Sequence, residues 1–141
     1  MPSHFALASF ARQLAEIERG KRTPVLDTGN LDSVRDFIDV DDVIHDYLAL
    51  VRTPDAVGQL VNVSSGTGVR MSDALARLIQ VFGVRVQIRR AASGLHAADV
   101  SSFYASREKL DRLVGARPLV PLDESLRRLV EHARLSLHGD S

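Results

Sequence analysis

The residues able to do chemistry in this sequence are concentrated in one short stretch, Leu26 to Tyr47 (LDTGNLDSVRDFIDVDDVIHDY). Its one arginine, Arg35, stands beside Asp36 and is followed by Phe37, Ile38 and Val40. A guanidinium held at the edge of an apolar run keeps a permanent charge on a planar fork, a shape suited to phosphate oxygens. The expected chemistry is therefore anion binding. Ahead of the arginine, Asp27, Gly29 and Asn30 are turn formers, and Asn30 also carries an amide that a ligand can use. Three acids follow, Asp39, Asp41 and Asp42, which imitate a cation site. A helix start accounts for them with fewer parts: Asp39 as N-cap, the other two in the first turn, where the helix dipole favours negative charge. Five histidines, His4, His45, His96, His132 and His138, are scattered without ligand spacing, so no metal site is expected. His45 and Asp46 are neighbours in sequence, and neighbours on a helix do not face each other, so both read as surface groups.

These groups need elements to hold them. Downstream of Asp39, Val40, Val43, Ile44, Tyr47, Leu48 and Val51 fall three and four apart, which predicts a helix with this stripe as its buried face. Upstream, Leu7, Phe10, Leu14 and Ile17 predict a helix over Phe5 to Glu18 that Gly20 stops. Leu60 to Val63 reads as a short buried strand. The Ser64 to Gly68 turn after it lacks the third glycine or the Lys-Ser/Thr of a phosphate loop, which makes it weak evidence for one. Met71 to Phe82 is a helix closed by Gly83. Val84, Val86 and Ile88 alternate with Arg85, Gln87 and Arg89, the period of a strand with one polar face. A short helix over Ser106 to Leu113 and a last helix opening at Pro121 complete the chain.

At 141 residues the chain holds one domain. Eighteen basic and eighteen acidic residues cancel, which gives no electrostatic footprint for nucleic acid. No apolar run reaches the length of a membrane span. Cysteine is absent, which excludes thiol catalysis and fits a cytoplasmic protein.

The run Gly29-Asn30-Leu31-Asp32-Ser33-Val34-Arg35-Asp36-Phe37 with Asp39-Val40-Asp41-Asp42-Val43 resembles a signature of the extended short-chain dehydrogenases/reductases acting on nucleotide sugars. Its form is most similar to the branch of GDP-mannose 4,6-dehydratases and GDP-4-keto-6-deoxy-mannose reductases. The resemblance extends from about Phe5 to Arg134. It implies an α/β fold: an incomplete Rossmann-type enzyme, mainly the helical C-terminal substrate domain with a few short strands, occupying 1–141. It implies a nucleotide-sugar (GDP-sugar) substrate bound through its diphosphate, with Arg35, Asn30, His96 and Asp99 as binding residues. NADP or NAD is the cofactor of the intact family. Other implied readings are a different branch, such as a UDP-glucose 4-epimerase, or a non-catalytic remnant serving as an interaction module.

The pattern also fails in places. His96 stands where the family has the arginine of R-P, a second phosphate contact, and Ala97 replaces the proline. The Gly-Asp ahead of the family's S-K-L is Ala105-Ser106 here. The sequence has no G-x-x-G-x-x-G turn, and neither tyrosine is followed by a lysine four residues on: Tyr47 leads to Val51 and Tyr104 to Glu108. No catalytic residue is therefore expected, nor a cofactor held by these residues alone. The N-terminal Rossmann domain is expected to be absent. The implied partners are the nucleotide sugar and either a separate N-terminal half or a second copy of the chain.

Overall fold

The computed structural model describes residues 5–90 and 101–137. Three helices build the main core. Helix α1 (Ala6–Glu18) buries Phe10, Leu14 and Ala15. Helix α3 (Met71–Phe82) buries Leu75, Leu78 and Phe82, and ends on Gly83, whose φ of 69° is the left-handed conformation that closes a helix. Helix α5 (Leu122–Ser136) adds Leu126 and Val130. Of the predicted stripes, Phe10 and Leu14 of α1 and Met71, Leu75, Leu78 and Phe82 of α3 are buried, while Leu7, Ile17 and Ile79 are partly buried. Polar groups latch the outside of the bundle. Arg134 pairs with Glu18, and its guanidinium lies 5.4 Å from the centre of the Phe82 ring.

Two small sheets rest against this core. Strand β1 (Val25–Thr28) runs parallel to β4 (Gln87–Arg90), with Leu26 opposite Ile88. Leu26 is fully buried, while β4 is exposed throughout. The Gln13 amide closes β1 at Asp27: Nε2 donates to the Asp27 carbonyl at 3.0 Å and Oε1 accepts from its N–H at 2.9 Å. That side chain takes the place of a neighbouring strand's peptide, so the edge is covered by a helix. The second sheet has the order β3–β2–β5, with β2 (Val34–Asp36) in the middle. Strand β3 (Gly68–Arg70) pairs with it antiparallel and β5 (Ser102–Phe103) parallel.

Helix α2 (Val40–Val51) forms as predicted, and the Asp39 carboxylate caps it by accepting from the Asp41 N–H at 3.0 Å. Its orientation is the reverse of the expectation. Asp42 and Asp46 are its buried residues, whereas Val40, Ile44, Tyr47, Leu48 and Val51 are exposed, Val51 by 85%. The inward face is acidic because the elements it meets, α4 (Glu108–Val114) and the loop behind it, bring arginines. The strand expected over Leu60 to Val63 is also corrected. That run has no ladder partner among the described residues, and Leu60 is 88% exposed.

Candidate functional site

Arg35 sits at the centre of β2, opposite Val69 on one side and Phe103 on the other. Residues paired across strands share a face, so Arg35, Val69 and Phe103 project together. Arg35 is half-buried, and its Nη1 donates to the Val34 carbonyl at 2.8 Å. Phe103 beside it is 69% exposed, which leaves the rim of this face open.

Asp36 fixes the strand that carries the arginine. Its Oδ1 accepts from the Ser65 N–H at 2.8 Å and its Oδ2 from the Ala105 N–H at 3.4 Å. One carboxylate thus staples β2 to the segments before β3 and after β5. Gly68 lets these strands approach. A Cβ there would lie 2.7 Å from Val34 Cγ1 and 2.9 Å from Tyr104 Cδ1.

Asn30 lies in the turn between β1 and β2. Its Oδ1 accepts from the Asp32 N–H at 2.9 Å, the bond of an Asx turn, so its turn-forming role is realised. His96 and Asp99 lie outside the described residues. Asp39 does more than cap: its carboxylate also accepts from Ser125 Oγ and pairs with Arg128 at 3.3 Å. Among the described residues no cluster of three histidines, cysteines or acids could hold a metal ion.

The reading of Asp46 as a surface group is corrected. It is 0% exposed and accepts from Arg107 Nη1 and Nη2, at 2.8 and 3.0 Å, and from Arg117 Nη2 at 2.8 Å. Arg107, itself 8% exposed, also bonds Asp111 at 2.9 Å and the Ser64 carbonyl at 2.9 Å. Arg117 also pairs with Asp42. Burial alone would raise the Asp46 pKa, but the bonds from Arg107 and then Arg117 outweigh it and hold the carboxyl below the usual range. The one sequence signal was the spacing of Asp42 and Asp46, four apart on the face opposite the apolar stripe. Nothing in the sequence placed two arginines more than sixty residues away against them.

The turn Ser64 to Gly68 does not have the form of a dinucleotide-binding loop. It leads into strand β3 and not a helix, so no helix N-terminus faces it. At Gly68 the space that a pyrophosphate would need is filled by Val34 and Tyr104.

The arrangement, a parallel strand pair and a three-stranded sheet set among helices with an arginine on the central strand, is similar to part of an extended short-chain dehydrogenase/reductase. The comparisons with known proteins agree. Residues 2–64, just under half of the chain, match the NAD dependent epimerase/dehydratase family. It is 30% identical over 126 residues to GDP-6-deoxy-D-mannose reductase of Pseudomonas aeruginosa, a match covering 89% of this chain and 41% of that protein. A structure of RMD from Pseudomonas aeruginosa complexed with NADPH superimposes with a TM-score of 0.87 at 28% identity, over 96% of this chain and 44% of that one. UDP-glucuronic acid 4-epimerase from Bacillus cereus, in complex with NAD, shares the fold at a TM-score of 0.79 and 19% identity, over 100% of this chain and 41% of that one. The chain therefore spans about two-fifths of the length of these relatives.

Proposed function

We propose that these 141 residues are the substrate-binding portion of a GDP-sugar reductase or 4,6-dehydratase, with Arg35 as the main anchor for the nucleotide diphosphate. The observation that carries this reading is the placement of Arg35 on the central strand of a sheet that Asp36 locks from two sides. A guanidinium so held reaches phosphate oxygens with little ordering left to do, which is how a site gains affinity. The relative of known activity at 30% identity is itself a GDP-sugar reductase, which favours guanosine over uridine nucleotides. Asn30, His96 and Asp99 are proposed as secondary contacts. A histidine in place of arginine donates singly to phosphate and is only partly charged near neutrality, which leaves more of the grip to Arg35.

Hydride transfer is the chemistry that NADP(H) or NAD(H) supplies when bound in such enzymes. The residues here would hold the substrate while the acid/base tyrosine, its lysine and the cofactor cradle come from a separate Rossmann half. The 141-residue chain alone is then expected to turn over no GDP-mannose.

Calorimetric titration of GDP tests the anchor. A charge-assisted hydrogen bond contributes about 1.5–3 kcal/mol, so Arg35→Ala should bind about ten- to a hundredfold more weakly than the parent. Arg35→Lys should recover only part, because an ammonium keeps the charge without the fork. Equal affinity of Arg35→Ala and the parent would make Arg35 a structural residue. A parent that binds no GDP would favour the interaction-module reading.

A further inference from the structure

Helix α5 turns Leu126, Val130 and Ala133 to the core, and another of its sides carries a narrow charged line. Glu124, Arg127, Glu131 and Arg134 are spaced three, four and three apart, so they stack along one face of the helix. The first three are exposed and Arg134 is half-buried. Beside this line α3 and α5 leave an open cleft of about 620 Å³, which Arg127, Glu131 and Arg134 share with Arg77 and Gln80.

Opposite charges at such spacings ordinarily satisfy each other within the helix. Here they do not. Glu124 is taken by Arg128 at 2.8 Å, and Arg134 by Glu18 at 2.9 Å. The side chains of Arg127 and Glu131 make no hydrogen bond or ion pair with any described residue, although they stand one turn apart. An arginine placed ahead of its glutamate is the poorer order for a pair within one helix. Glu131 feels only the longer-range attraction of Arg134.

The signs along the line run minus, plus, minus, plus from Glu124 to Arg134. Its spacings read the same in both directions, so reversing the helix inverts every sign. Such a line is complementary to an antiparallel copy of itself: Arg127 meets Glu131 twice across a two-fold axis, and Glu124 meets Arg134 twice. A parallel copy in register would set like charges together. Self-complementarity is the condition for a two-fold interface, and an unrelated partner does not call for it.

We propose that α5 pairs antiparallel with the α5 of a second copy of this chain, with Arg127 and Glu131 as the central contacts and the cleft beside α3 receiving the partner's side chains. The two central residues give up no bond in the monomer to form these, while Glu124 and Arg134 extend existing pairs into a network. A helix of 15 residues is about 22 Å long, which makes a contact smaller than a permanent interface. Exposed ion pairs are individually weak and screened by salt, so they set orientation and register in a low-affinity pair. This pairing does not depend on the nucleotide reading of Arg35.

Sedimentation velocity over a concentration series tests it with charge reversals. The parent should associate at low salt, its dissociation constant rising about tenfold or more when salt goes from about 0.02 to about 0.5 M. Arg127→Glu sets two like-charged contacts across the axis, and Glu131→Arg does the same, so each variant alone should stay monomeric. An equal mixture of the two should associate again, because the new acid of one faces the new base of the other while the unaltered Glu131 and Arg127 also meet. The double variant, with both signs reversed, should pair as the parent does. Neither residue bonds to the rest of its own chain, so the thermal midpoints of the dilute single variants should match the parent's. Association that survives either single reversal runs through another surface and overturns the proposal. A mixture that stays monomeric overturns it too, as does a parent that is monomeric at millimolar concentration in low salt.

Discussion

Replacing Arg107 by methionine is the most informative perturbation of this fold, because Asp46 and Arg107 are not equally replaceable to their partners. Asp46 is 0% exposed and has two cationic partners, Arg107 by two bonds and Arg117 by one. Arg107→Met keeps much of the side chain's volume but removes two of the three bonds, and it also strips the Ser64 carbonyl of its donor. Breaking a buried ion pair from one side costs about 3–5 kcal/mol, because the remaining charge stays buried without its partner. The opposite change, Asp46→Asn, removes the charge at the centre, yet Arg107 retains Asp111 and Arg117 retains Asp42. Its cost should be smaller, about 1–3 kcal/mol, the range for an under-satisfied buried polar group. Against a total stability of about 5–15 kcal/mol, the first change consumes a large share and the second does not. Urea unfolding followed by circular dichroism measures both, with the slope checked for two-state behaviour. If Asp46→Asn proves the costlier, or Arg107→Met shifts stability by less than about 1 kcal/mol, the network does not hold α2 to α4 as described.

Two further outcomes follow from the same structure. Gly68→Ala should destabilise by about 1–3 kcal/mol, since its Cβ would meet the stiff Val34 side chain and the Tyr104 ring, and adding Val34→Ala should recover part of the loss; thermal melts of the parent and these two variants decide this, and a neutral Gly68→Ala would show that β2 and β3 have room to separate. Acid should unfold the protein through Asp39 and Asp46, both held below the usual carboxylate range in the fold, in each case against the effect of burial, by bonds led by Ser125 for Asp39 and by Arg107 for Asp46. A depressed folded pKa means that the unfolded chain binds protons more readily, so this stability is present above about pH 4 and is lost as pH falls through the folded values. Denaturant midpoints measured down the acid range should drop there, with a shallower drop in Asp46→Asn, and a flat profile in the parent would refute the assignment.

Helices α1 and α3, the capped start of α2 and the final helix were legible because each is written locally. A 3.6-residue apolar stripe, Asp39 ahead of Val40 and Gly83 after Phe82 need no distant residue to be understood. Arg35 was legible as a residue type in a motif, but not its setting. The central place of β2 depends on β3 and β5, strands of three and two residues that leave almost no periodic signal. Its staple, Asp36, bonds main-chain N–H groups of residues 29 and 69 positions away, and sequence gives no hint of such bonds.

Helix α2 shows what periodicity can and cannot report. Its apolar stripe marks one face of the helix, but the spacing does not say that this chain buries it. A stripe is a property of one helix, whereas burial is a property of the helix and whatever lies against it. Here the side turned to the chain's own body is the one with Asp42 and Asp46, made tolerable by Arg107 and Arg117. Had α2 been packed by its apolar stripe, Arg107 and Arg117 would lose Asp46 and Asp42 as partners. The ion pairs and the exposed stripe are therefore one arrangement. The charged side commits α2 to α4, and that commitment leaves the apolar side, with residues 60–63 beside it, facing outward.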